Sequence, residues 1–383
     1  MPNINDIVQI AEALEKSPVH VIQDRCAAVR NRNATCRRCI DVCPNDAIKI
    51  ELNQLSLSAS QCTDCGLCTA VCPTEALEPK PNDYELATAL GKSTVETDGA
   101  AIIACARIAS KHQADPSTYA EVPCLGHVYT AILVGLASHG AKSIQLVDGN
   151  CRTCKYRAIE GVLDGVVADA NTLIASCGGT VRVERRTGFP DDVKPEDTSG
   201  LYGSSRRGFF TSAKDAAKDA AMAAAQVTIE QELGMQMEQK KQIGSRLRVD
   251  KAGALPKIAA VRHDAVINAM DAIGAPAVDS IDTQQFATID IDLTRCNACG
   301  MCAVFCPTGA LKRDVSKKLG DPVKYLEFSA SDCINCDMCA DVCWRKCLTV
   351  STSVSMDELF DFEPRTFDMK NVKRQTKTWL GGA

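Results

Sequence analysis

Aromatic residues make up only 4% of this 383-residue chain, too few for ring packing alone to hold its smaller units together. No uninterrupted apolar run reaches the roughly 18 residues expected of a membrane-spanning helix. The opening residues, Met1-Pro2-Asn3-Ile4-Asn5-Asp6, lack the basic-then-apolar pattern of a secretory signal. There is no GxxxxGKS/T phosphate loop and no GxGxxG following an apolar strand, so nothing points to a nucleotide or flavin on this chain. The five histidines are scattered, none at the spacing of a zinc protease or a catalytic dyad. The net charge of −5 argues against nucleic acid as a partner.

Cysteine is the reverse case. There are 22, and without a secretory signal they imply a reducing, cytoplasmic setting in which clustered thiols hold metal more often than they pair. Cys62, Cys65, Cys68 and Cys72-Pro73 stand at spacings of two, two and three intervening residues, and Cys296, Cys299, Cys302 and Cys306-Pro307 repeat the pattern. Cys36, Cys39 and Cys43-Pro44 form a shortened copy, and Cys333, Cys336, Cys339 and Cys343 a fourth, with Trp344 in place of the proline. Three thiolates in one tight loop with a fourth further on do not suit zinc, which takes two close pairs. They suit a [4Fe–4S] cube.

These runs resemble the bacterial two-cluster ferredoxins at both ends of the chain. In that family the last cysteine of each run reaches across to the neighbouring cube. The resemblance therefore implies one site from Cys296, Cys299, Cys302 and Cys343 and another from Cys306, Cys333, Cys336 and Cys339. Near the N-terminus it implies a site from Cys43, Cys62, Cys65 and Cys68. The remaining site has Cys36, Cys39 and Cys72. Its natural fourth member is Cys26, ten residues before Cys36, with a nine-residue loop replacing the usual two; otherwise Cys26 is a buried small hydrophobe and the site holds three irons.

Between the two ends the pattern changes. Apolar strands are expected at 100–104, 120–122, 142–147 and 180–185, alternating with helices at about 127–138 and 157–176, which argues for a parallel α/β domain. Functional groups of such a sheet gather beyond the carboxyl ends of its strands, and Cys105, Cys124 and the pair Cys151/Cys154 fall there. Three readings stay open for these four: buried thiols, a redox dithiol at Cys151/Cys154, or a fifth cluster, [2Fe–2S] or [4Fe–4S]; the alternative function is an enzyme whose active site is that dithiol or an open-coordination iron–sulfur cluster in this domain. The pattern of a strand ending in Cys105, another in Cys124 before a helix, and a third running to Cys151 and Cys154 resembles the iron–sulfur delta subunit of methyl-viologen-reducing hydrogenase. That resemblance implies a [2Fe–2S] cluster passing electrons to a partner's flavin. Cys177 and Cys347 fit none of the sets and read as packing residues.

The expected fold class is α+β and multidomain: two ferredoxin-like dicluster modules flanking an α/β parallel-sheet domain, plus a helical connector. The expected boundaries are an N-terminal helical segment over 1–25, a dicluster module over 26–80 and the α/β domain over 84–190. A loop and helical connector over 191–286 follows, with helices at 212–242 and 256–273, then a second module over 287–352 and a polar tail over 353–383. The functional expectation is a multi-cluster electron-transfer subunit with no substrate site of its own, relaying electrons within an oxidoreductase complex. Its partners would be a flavoprotein, a hydrogenase, or a molybdenum or tungsten enzyme.

Overall fold

A computed structural model describes residues 18–79, 90, 97–157, 159–193, 255–314 and 322–372. The expected helix at 212–242 lies outside these.

Strand β1, Val19–Val21, opens the N-terminal module. It is followed by the hairpin strands β2, Ile48–Glu51, and β3, Gln54–Leu57, and by β4, Leu77–Pro79. β1 and β4 pair antiparallel, Val19 opposite Pro79, and β2 pairs with β3, Ile48 opposite Leu57. This corrects one boundary. Residues 19–25, assigned by sequence to the N-terminal helical segment, form a strand and a 3-10 turn of the module itself. Pro79, inside the expected module, closes the outer strand pair. A proline is tolerated there because an edge strand leaves one face of its backbone without a ladder partner.

The central domain is built on β5, Ala100–Cys105, β6, Ala120–Val122, β7, Ser143–Val147, and β8, Val183–Arg186. All pair parallel in the order β6-β5-β7-β8. β5 is apolar throughout (Ala100-Ala101-Ile102-Ile103-Ala104-Cys105) and its middle four residues are buried, as a strand covered on both faces must be. Helices Thr130–Ser138 and Ile159–Ser176 follow β6 and β7. The chain leaves β5 to one side for β6 and returns on the other side as β7. The switch in strand order therefore opens a crevice at the carboxyl ends of these three strands.

The C-terminal module begins with β9, Ser280–Asp282, and β10, Thr288–Ile291, and continues with the hairpin strands β11, Leu311–Arg313, and β12, Tyr325–Phe328. It closes with β13, Leu348–Ser351, which pairs antiparallel with β10. This is the topology of the N-terminal module: an outer strand pair with a hairpin between. The expected polar tail is a further correction. β14, Ser353–Ser355, pairs with β9; helix Met356–Phe360 follows; and β15, Arg365–Asp368, adds a third strand beside β12. Met356 and Leu359 are fully buried. The polar surface of this stretch disguised the few apolar residues that anchor it.

The modules do not behave as independent units. One apolar core runs from the central sheet (Ile103, Ile144) through helix Val261–Ile273 (Val266, Met270) into the C-terminal module (Phe286, Phe328). Buried Asp169 on the central domain's long helix accepts from Thr130 Oγ1 (3.2 Å), Thr283 Oγ1 (2.7 Å), the Gln284 amide (3.0 Å) and Gln285 Nε2 (2.9 Å). It thereby ties that helix to the segment leading into β10. Arg262 donates its backbone amide to Glu75 and its guanidinium to the Thr69 carbonyl of the N-terminal module.

Candidate iron–sulfur sites

Each ferredoxin-type loop is shaped by residues of positive φ at repeated places. Gly66 (φ 78), Gly300 (φ 68) and Asp337 (φ 58) each follow the second cysteine of their run. Three residues after the last cysteine of each run stand Asp46, Glu75, Gly309 and Lys346, again with φ between 49 and 85. Left-handed backbone costs a side chain little only at single turns. Its use here curls each loop round its own sulfurs and sends backbone amides toward them. Ala47 N donates to Cys43 Sγ at 3.2 Å, Ala76 N to Cys72 Sγ at 3.3 Å, Leu311 N to Cys306 Sγ at 3.4 Å and Ala298 N to Cys296 Sγ at 3.4 Å. Amides aimed at cysteine sulfur stabilise negative charge there, as an iron–thiolate centre requires.

The cysteines converge in fours. Cys43, Cys62, Cys65 and Cys68 line one hollow with about 340 Å³ of free space between the atoms. Cys306, Cys333, Cys336 and Cys339 line another of about 370 Å³. Cys302 lies close enough to Cys296, Cys299 and Cys343 for their charges to act on it, and Cys39 is placed likewise by Cys72, Cys26 and Cys36. Among the described residues no group of three or more His, Cys, Asp or Glu is gathered tightly enough for a single metal ion. A four-iron cage, which sets its ligands further apart than one ion does, suits these hollows.

Cys26 occupies a telling place. It stands five residues after the end of β1, as Cys296 stands five residues after the end of β10, so the two cysteines hold equivalent places in the topology. The lengthened loop that follows has its own work: Ala27 packs with Met338 and Val342 of the C-terminal module. Thr35 donates its amide to Asp341 Oδ2 at 2.7 Å, and Arg30 Nη2 donates to the Pro256 carbonyl at 2.6 Å. The extra residues join the two modules.

In the central domain Cys105 is the last residue of β5, Cys124 lies two residues beyond β6 and Cys151 four beyond β7. With Cys154 they line one hollow of about 340 Å³ at the sheet's carboxyl edge. Sequence reading missed Asp148 here. It is buried, accepts from Cys151 Sγ at 3.6 Å and is ion-paired with Arg185. A polar residue directly after an apolar strand was its only signal. Burial, then the Asp148 carboxylate, pushes the Cys151 thiol up to about 11, and burial pushes Cys124 up to about 12. Burial likewise lifts Cys26 to about 11 and both Cys39 and Cys333 to about 12. The ionised form of these thiols is therefore favourable only with a compensating cation beside it, which couples metal binding to proton release.

Neighbouring sets lie beside one another. Cys124 and Cys65 share one core, and His127 Nε2, three residues past Cys124, donates to the Asp64 carbonyl beside Cys65 at 3.1 Å. Cys68 and Cys39 share the N-terminal core. Cys36 and Cys336 pack against the same small cluster, and Arg38 Nη2 donates to the Asn335 carbonyl at 2.6 Å. Cys339 feels the charge of Cys302. Of the two remaining cysteines, Cys177 is buried in the apolar core, whereas Cys347 Sγ lies 3.4 Å from Cys343 Sγ.

The 4Fe–4S dicluster domain family matches residues 32–76 and 286–347. The matches support ferredoxin-like dicluster modules at both ends, which imply [4Fe–4S] clusters and an iron–sulfur electron-transfer role. The first match begins downstream of Cys26. Neither the curated proteins nor the solved structures contain a match to this chain. No described helix is long and apolar enough to cross a membrane.

Proposed function

We propose that the chain is an electron relay of five cluster sites placed end to end. The order is the central site (Cys105, Cys124, Cys151, Cys154), then Cys43/Cys62/Cys65/Cys68, then Cys26/Cys36/Cys39/Cys72, then Cys306/Cys333/Cys336/Cys339, and last Cys296/Cys299/Cys302/Cys343. The observation that carries this reading is the proximity of successive sets just described, which makes each site the neighbour of the next although their order in the sequence is different. The clusters would supply one-electron chemistry. The chain's own residues hold the thiolates in place, aim amides at sulfur and bury the interior sites, the protein's levers on potential.

The central site, like the one of Cys43, Cys62, Cys65 and Cys68, is a hollow lined by four cysteines, and its cluster is [4Fe–4S] or [2Fe–2S]. The delta-subunit resemblance makes a flavoprotein the natural partner at this end. Exposed Arg107, Arg152 and Lys155 surround it. At the other end Trp344 is 45% exposed under the Arg345 guanidinium, with Arg295 and Lys346 nearby. Cations at both ends suit acidic redox proteins as partners, chiefly by steering encounter.

The test needs no partner. Neighbouring paramagnetic clusters split one another's EPR signals, so the partly reduced chain should show coupled spectra. Cys65→Ser should release the central cluster's signal from that coupling while its iron stays. Five magnetically isolated signals in the unaltered chain would overturn the relay.

A further inference from the structure

The four cysteine runs allow a comparison within one molecule. Four residues after the last cysteine of each run stand Ala47, Ala76, Ala310 and, in the fourth, Cys347. The residue before each has positive φ, namely Asp46, Glu75, Gly309 and Lys346, so the backbone turns in the same way and delivers this position to the back of the preceding cysteine. In three runs a methyl group sits there. In the fourth a thiol does, 6% exposed, with its sulfur 3.4 Å from Cys343 Sγ and facing Cys296 as well. Both neighbours belong to one proposed cluster site. The same run also departs at the residue after its last cysteine, where Trp344 replaces Pro44, Pro73 and Pro307. The fourth run thus differs from its siblings once toward solvent and once toward the sulfurs.

We infer that Cys347 is a positioning residue that donates its S–H to the Cys343 thiolate and raises the reduction potential of the cluster at Cys296, Cys299, Cys302 and Cys343. This rests on the relay reading of that site. A hydrogen bond to a ligating sulfur stabilises the state carrying the extra electron, because negative charge on that sulfur is then greatest. Placed at the end of the line, a raised potential favours the electron's residence on that cluster.

The experiment is an EPR-monitored redox titration of the full chain, purified anaerobically, as the native form, Cys347→Ala and Cys347→Ser. The affected signal is the one lost in Cys299→Ser. With iron content unchanged, Cys347→Ala should lower the potential of that cluster alone, the reduced-to-oxidised ratio falling about tenfold at a given potential, or about 59 mV for a one-electron couple. Cys347→Ser, which keeps a donor, should shift it less. An unchanged potential in Cys347→Ala overturns the inference while leaving the relay intact. Loss of the cluster in Cys347→Ala but not in Cys343→Ala would overturn it by making Cys347 the ligand. A native chain without iron would overturn the relay and this inference together.

Discussion

The carbonyl oxygen of Cys65 presses on Gly126 so closely that a Cβ at Gly126 would lie 2.1 Å from it. Gly126 stands two residues past Cys124, so this contact is where the central domain meets the N-terminal module. Gly126→Ala should force the two apart at a cost of roughly 1–3 kcal/mol from overpacking. Iron content should stay as it was, and the magnetic coupling of the central cluster to its neighbour should weaken. Thermal unfolding and EPR of the partly reduced variant would check both effects.

Cys26 matches Cys296 in its distance from the preceding strand. Cys26→Ala should therefore cost at least one iron and abolish one cluster's reduced EPR signal, leaving the others. If Cys26 only packs, iron analysis of the variant will equal that of the native chain.

Asp169 gathers four donors from two parts of the fold. Asp169→Ala leaves buried Thr130 and Thr283, and the less buried Gln284 and Gln285, without their acceptor, and hydrogen bonds to a charged group are worth about 1.5–3 kcal/mol each. The expected loss is about 3 kcal/mol of stability, and Asp169→Asn should lose less because one acceptor oxygen remains. Chemical denaturation followed by circular dichroism would measure both.

His263 is buried against Phe286 and hydrogen-bonds the Ser331 carbonyl at 2.6 Å. Burial holds its imidazole below the usual histidine value. The unfolded chain takes up this proton near pH 6.5, while the folded chain resists it to lower pH. Its stabilising contribution is thus whole above about pH 6.5 and is lost as pH falls toward the folded value. Melting temperature should drop over that window, and the drop should be shallower in His263→Gln.

Much of this was legible beforehand because cysteine spacing is a local property. The four runs and the central strands expected at 100–104, 120–122 and 142–147 follow from apolar runs and turn residues. What lay hidden depends on pairing across long separations. β1 is three residues long and needs β4, 58 residues on, to be a strand at all. β15 is polar and exists because β12 offers an edge. The partnership of Cys347 with Cys343 was missed for a different reason: a cysteine outside a motif carries no spacing signal, and only the turn at Lys346 brings its sulfur round.

The most direct measurement is iron and acid-labile sulfide per chain on anaerobically purified protein. Five [4Fe–4S] sites predict about 20 of each. About 18 would keep a central cluster but make it [2Fe–2S], and about 16 would leave the central cysteines as thiols and contradict the five-site relay.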